Sequence, residues 1–136
     1  MNLEQLTVSL PLAQQLRDAG FEQEGNLFYW TLCSLPGENA IPTWKIGLNF
    51  YYSFCNDPLY IAAPTASEIL ERLPSYFIHP QIKERLFLYI YKDDANLWRI
   101  RYGQWGTQIG IQVPKEKSEI NVCASMYLYL RKEKLI

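Results

Sequence analysis

RLFLYIYKDDANLWRIRYGQWGTQIGIQV, residues 85–113, is a run of aromatic and branched side chains broken twice by turn formers, and it reads as a three-stranded antiparallel meander. Trp105, Thr107, Ile109, Ile111 and Val113 alternate with Gly106, Gln108, Gly110 and Gln112, which predicts a last strand with its odd positions inward. Gly103-Gln104, glycine first, suits a two-residue turn; it would pair Tyr102 with Trp105 and turn Trp98 and Ile100 to the buried face. In the preceding hairpin, a loop Asp94-Ala95-Asn96 puts Asn96 in the left-handed conformation that asparagine tolerates. Ile90 then pairs with Ile100 and Leu88 with Tyr102. A loop starting at Asp93 would reverse this parity and leave Leu88 and Ile90 in water, so the first register is preferred.

That register gathers Tyr89, Tyr91, Arg99 and Arg101, with Gln108, on the outward face of the meander. Tyrosine and arginine are the residue types that interfaces favour, and a guanidinium over a ring gains about 0.5–1 kcal/mol at an exposed site. These four residues are the candidate binding residues. The competing reading makes them plain cross-strand pairs, or has the first or last helix cover them.

Outward from the meander, Leu12, Ala13 and Leu16 form one face of a helix over residues 10–19, with Ser9 as its cap. Gly20 suits a left-handed ending that would bring Leu16 against Phe21. Residues 27–33, LFYWTLC, read as a buried strand and 34–42 as a surface loop. From Thr43 onward Trp44, Ile46, Leu48, Phe50, Tyr52 and Phe54 alternate with Lys45, Gly47, Asn49, Tyr51 and Ser53, a long strand ended by Asn56, Asp57 and Pro58. Thr65 and Glu68 stand at capping-box spacing before a short helix with Ile69, Leu70 and Leu73 on one face, limited by Pro74. Ser118 or Asn121 starts a last helix carrying Cys123, Met126, Tyr127 and Leu130, with Arg131, Lys132 and Lys134 at its negative end. The expectation is one α+β domain over 1–136, three helices with a mostly antiparallel sheet of about five strands, in the order α-β-β-α-β-β-β-α.

Thirteen basic and fourteen acidic residues leave a net charge of −1, so no global field draws a polyanion, and nucleic-acid binding would require a local basic patch. The amino-terminal sequence lacks the basic and apolar segments of a secretory signal, and no uncharged apolar run approaches the roughly 18 residues of a membrane helix. A cytoplasmic protein with no membrane association is expected. Cys33, Cys55 and Cys123 are odd in number and widely spaced, which reads as free thiols acting as small hydrophobes. His79 is the one histidine, and no cysteine or serine around it sits in a nucleophile signature. Asp93 and Asp94 read as hairpin-loop acids, and the glycines of YGQWG and GTQIG match no phosphate-binding fingerprint; they relieve crowding beside Arg101 or mark a bulge. No metal or cofactor is implied.

The segments LPLAQQLRDAGF, LFYW and IAAPTASEILERLP, followed by the closing helix, resemble a family of small uncharacterised proteins of phage and prophage genomes. Its pattern of an LA-x-x-L-x-x-x-GF helix falls on Leu12, Ala13, Leu16, Gly20 and Phe21, and its aromatic strand on Tyr29 and Trp30. Its APT-x-x-E-L-x-x-x-LP segment falls on Ala63, Pro64, Thr65, Glu68, Ile69, Leu73 and Pro74, with Ile69 where leucine is usual and Arg72 where tryptophan is frequent. The resemblance covers about half the chain and implies a phage-associated origin without implying a reaction. The function expected is that of a non-enzymatic binding or accessory protein, acting through a surface patch on a partner protein or on a second copy. The alternatives are an enzyme with a carboxylate and tyrosine site, and a nucleic-acid binder using the Tyr/Arg face.

Overall fold

A computed structural model describes residues 2–33, 43–48 and 59–136. It has the α+β class with antiparallel sheets that the patterning predicts, divided between two compact units, Met1–Thr65 and Ala66–Ile136. None of its helices is long and apolar enough to cross a membrane, among the described residues. Charge is segregated in sequence: the first unit has two basic and six acidic residues, net −4, and the second eleven and eight, net +3.

In the first unit a one-turn helix α1 (Leu3–Leu6) precedes α2 (Leu10–Asp18). The sequence reading omits α1, which is too short to show a period; its signal is the capping box in which the Gln5 N–H donates to Asn2 Oδ1 at 3.1 Å. At α2 the Ser9 side chain makes no capping bond, contrary to expectation, and Pro11 in the first turn removes a donor that would otherwise need an acceptor. The other end forms as anticipated. Gly20 has φ +89°, its N–H bonds to the Arg17 carbonyl and that of Phe21 to the Leu16 carbonyl, a Schellman ending that buries Leu16 and Phe21.

The sheet of this unit comprises β1 (Phe28–Cys33), β2 (Thr43–Leu48) and β3 (Leu59–Ala62), in the order β2-β1-β3 and antiparallel throughout. Trp30, at its centre, pairs with Ile46 and Ile61 and donates its indole N–H to the Val8 carbonyl at 3.1 Å. β3 is absent from the sequence reading because LYIA does not alternate: Leu59 and Tyr60 are exposed, Ile61 and Ala62 buried. The loop expected at 34–42, the continuation of the second strand beyond Leu48 and Cys55 all lie outside the described residues.

The second unit comprises α3 (Ala66–Arg72), β4 (Tyr76–Ile78), β5 (Arg85–Lys92), β6 (Trp98–Gly103), β7 (Gly110–Gln112) and α4 (Glu119–Lys132). The four strands form an antiparallel sheet in sequence order, so the described residues form two sheets where one of about five strands was expected. β5 and β6 take the anticipated register: Leu88↔Tyr102, Tyr89↔Arg101, Ile90↔Ile100 and Tyr91↔Arg99. The hairpin closes around Asp94-Ala95-Asn96, the Asp93 N–H bonding to the Leu97 carbonyl and Asn96 standing at φ +62°.

The next turn differs from expectation. Tyr102 pairs with Ile111, not Trp105, and residues 104–109 leave the ladder as a loop. Within it the Thr107 N–H bonds back to the Gln104 carbonyl, in a turn whose third residue, Gly106, takes φ +77°. Trp105, placed inward by its alternation, is consequently 87% exposed, while Ile111 and Val113 keep the inward parity.

The inward face of the sheet presents Leu86, Ile100, Tyr102 and Ile111, all buried, and α4 packs on β6. Ser118 caps α4 by accepting from the Asn121 N–H, and Ile120, Cys123, Met126, Tyr127 and Leu130 form its buried side. The Tyr102 hydroxyl donates to the Pro74 carbonyl at 2.6 Å, tying β6 to the chain just beyond α3.

Candidate functional site

The face of the four-stranded sheet opposite α4 presents Tyr76 and Ile78 of β4, Arg85, Phe87, Tyr89 and Tyr91 of β5, Arg99 and Arg101 of β6, and Gln112 of β7. Strand alternation dictates this set, because the inward positions of β5 and β6 are the even-numbered ones. No outward strand position holds an acidic residue. All four anticipated binding residues lie on this face. Gln108, expected beside them, belongs instead to the exposed loop, and Gln112 takes the place across from Arg101.

The two arginines do different work. Arg99 donates from Nε to Asp93 Oδ2 at 2.7 Å, while Asp93 Oδ1 accepts from the backbone N–H groups of Ala95 and Leu97. The Arg99 hydrogen bond, followed by that from Leu97, holds the Asp93 carboxyl below its ordinary pKa, and the carboxylate raises that of Arg99 in turn. This pair fastens the hairpin, so Arg99 is a structural residue.

Arg101 is paired with no carboxylate among the described residues. Its guanidinium lies over Gly103, where a Cβ would collide with Nη2, and a Cβ on Gly110 would come within 3.2 Å of the same atom. The two glycines therefore pave a floor for it, the crowding relief their spacing suggested. Nη2 lies 3.3 Å from the Ile109 carbonyl and 3.5 Å from that of Thr107, so the cation also anchors the loop carrying Trp105. The Trp105 and Tyr89 ring centroids are 6.3 Å apart with planes at 43°, splayed instead of stacked. Tyr89, Tyr91, Arg101, Gln104 and Trp105 surround an open hollow of about 630 Å³, within the range of ligand sites. At its rim Gln104 donates to Glu84 Oε2 at 3.0 Å, and on β4 and β5 the Arg85 guanidinium stands 4.8 Å from the Tyr76 ring centre.

Sequence reasoning thus found the strand-borne part of the hollow and missed Gln104 and Trp105. The signal for them was the second glycine of the meander, Gly106, which favours a turn two residues later than the one assumed.

His79 and Cys123, two of the side chains considered for chemistry, have structural roles. His79 Nδ1 accepts from the Gln81 and Ile82 N–H groups, holding the turn between β4 and β5. Cys123 is buried in α4, and burial, reinforced by Glu119, pushes its thiol up to about 12, which keeps it protonated and unreactive at neutral pH. Among the described residues no three His, Cys, Asp or Glu side chains converge as a metal site. Comparison with protein-family models, with curated proteins and with solved structures finds no match to the chain.

Proposed function

We propose that this chain is a non-enzymatic binding module that engages its partner through the outward face of the four-stranded sheet. The observation that carries this reading is Arg101: a cation without a carboxylate partner among the described residues, held on a glycine floor beside Tyr89, Tyr91 and an almost fully exposed Trp105. Soluble folds rarely leave a tryptophan and two tyrosines around an open hollow unless something covers them. A second copy of the chain fits poorly, because a two-fold interface sets the same patch against itself and would bring unpaired guanidiniums together. A partner with negative charge fits better, whether a protein or another anionic polymer. The resemblance to phage-associated proteins supports an accessory role of this kind, in the cytoplasm of a host cell.

Affinity capture from host cells tests this reading, comparing the wild type with Trp105→Ala/Arg101→Ala and with Lys132→Ala at the exposed end of α4. Whatever is captured should be lost with the face variant alone. Identical capture by all three would move the binding surface elsewhere.

A further inference from the structure

We propose that the partner is single-stranded nucleic acid, its bases stacking on Trp105, Tyr89 and Tyr91 and a backbone phosphate pairing with Arg101. This rests on the binding-module reading above and names the partner of that same face. Three observations converge on it. The first is the shape of the aromatic surface: the Trp105 and Tyr89 rings are splayed at 43°, Trp105 is 87% and Tyr91 42% exposed, and so planar faces remain open for bases. Stacking on such rings contributes about 1–3 kcal/mol per base and tolerates any sequence, because every base has a π-face.

The second is charge. The chain as a whole is net −1, but the unit holding the sheet is net +3, and its outward strand positions carry Arg85, Arg99 and Arg101 with no acidic residue. Asp93 and Arg99 neutralise each other, and Glu84 keeps its charge at the rim while it accepts from Gln104, so Arg85 and Arg101 are the cations that give the face its positive charge. This is the local basic patch that nucleic-acid binding requires in a chain without a global field. The third is the order of Arg101. Both of its carbonyl contacts use Nη2, which orients the guanidinium in advance, and among the described residues Nη1 makes no hydrogen bond, so its donors remain for a phosphate oxygen.

A duplex would hide its base faces from these rings, so a single strand is the form that uses the whole site. An acidic peptide could pair with Arg101, but among the described residues the side chains it would meet in the hollow are the aromatic planes and Gln104, because Ile90 turns its side chain to the inward face.

The test is fluorescence anisotropy with fluorescein-labelled oligo-dT and oligo-U of about twelve nucleotides, which spans the usual site size. Affinity should fall about 7-fold between about 50 and 200 mM salt, as two phosphate contacts on a single strand predict. Trp105→Ala should weaken binding about 5- to 150-fold at every salt concentration, because stacking is not electrostatic. Arg101→Ala should weaken it too, and should flatten the salt dependence by about one phosphate contact, roughly 0.7 in log–log slope. Trp105 is exposed on a loop, so its variant reads binding even if Arg101→Ala lowers stability. A wild-type protein that binds neither oligonucleotide at low salt overturns the proposal, as does binding unchanged in Trp105→Ala. If oligonucleotides fail while a protein is captured in a face-dependent manner, the binding-module reading stands and the nucleic-acid partner is rejected.

Discussion

Tyr89 and Arg101 face each other directly across the β5–β6 ladder, on the side of the sheet that α4 leaves uncovered. One step along the same strands, Tyr91 faces Arg99, but there Asp93 claims the guanidinium. Two cross-strand pairs of identical composition therefore have different uses, decided by one hairpin acid. The first leaves its guanidinium without a carboxylate among the described residues while the second locks the turn.

The register makes the two faces of β6 respond differently to truncation. Ile100→Ala opens a cavity beneath α4 and should cost about 2–5 kcal/mol, whereas Arg101→Ala should cost about 1 kcal/mol or less. Urea denaturation measures both. Equal losses would mean that Arg101 is part of the core.

Much of this was legible because parity is a strong constraint: only one loop length keeps Leu88 and Ile90 out of water, and that fixes Tyr89 and Tyr91 opposite the arginines. The β6–β7 turn was not legible. Gly103 looks like the first residue of a two-residue turn, yet its lack of a side chain serves the Arg101 guanidinium, and the positive φ falls at Gly106. Moving the partner of Tyr102 from Trp105 to Ile111 is an even shift, so Ile111 and Val113 stayed inward while Trp105 left the core. β4 was missed for a different reason: Tyr76–Ile78 is a three-residue edge strand with Tyr76 and Ile78 exposed, too short for alternation to stand out.

The glycine floor predicts a separation of stability from binding. At Gly103 the atoms nearest an added Cβ all belong to the flexible end of Arg101, so Gly103→Ala should leave the unfolding midpoint nearly unchanged while displacing the guanidinium and weakening the proposed binding. At Gly110 the same Cβ meets the Tyr102 carbonyl and, at 3.0 Å, Gly103 Cα; Gly110→Ala should therefore cost about 1–3 kcal/mol. Parallel melts and binding titrations check the pair. Loss of stability at Gly103 comparable to that at Gly110 would contradict the floor.

Alkali should unfold the protein through two buried groups. Burial raises the Tyr102 hydroxyl well above its ordinary value, and burial with Glu119 pushes Cys123 up to about 12. Both are neutral acids held protonated in the fold, so their stabilisation is complete below the unfolded pKa and declines as pH rises beyond it. The decline begins near pH 9 for the thiol and near pH 10 for the phenol, with a slope of about 1.4 kcal/mol per pH unit for each. Denaturant midpoints from pH 8 upward measure it, and Cys123→Ala should remove the earlier component. Tyr102→Phe should remove the later one and, by orphaning the Pro74 carbonyl, cost about 1–3 kcal/mol at neutral pH.

On the acid side the hairpin clasp sets the sign. The Asp93 carboxyl is held below 3.8 in the fold, so its contribution is present above that pH and disappears as pH falls through the lowered value. Asp93→Asn should lower the midpoint at pH 7, and the gap to wild type should close as the pH drops below 3.8. A constant gap would mean that the charge is not what holds the turn.

The central claim is that the outward face of the four-stranded sheet, built around Arg101 and Trp105, is where this protein binds. Backbone amide chemical-shift mapping of the labelled protein during titration with oligo-dT tests it most directly. The largest changes should cluster at residues 87–91 and 99–107, with the Trp105 indole N–H among them and α4 silent. Changes confined to α4 or to the first unit, or none at saturating oligonucleotide, would contradict the account.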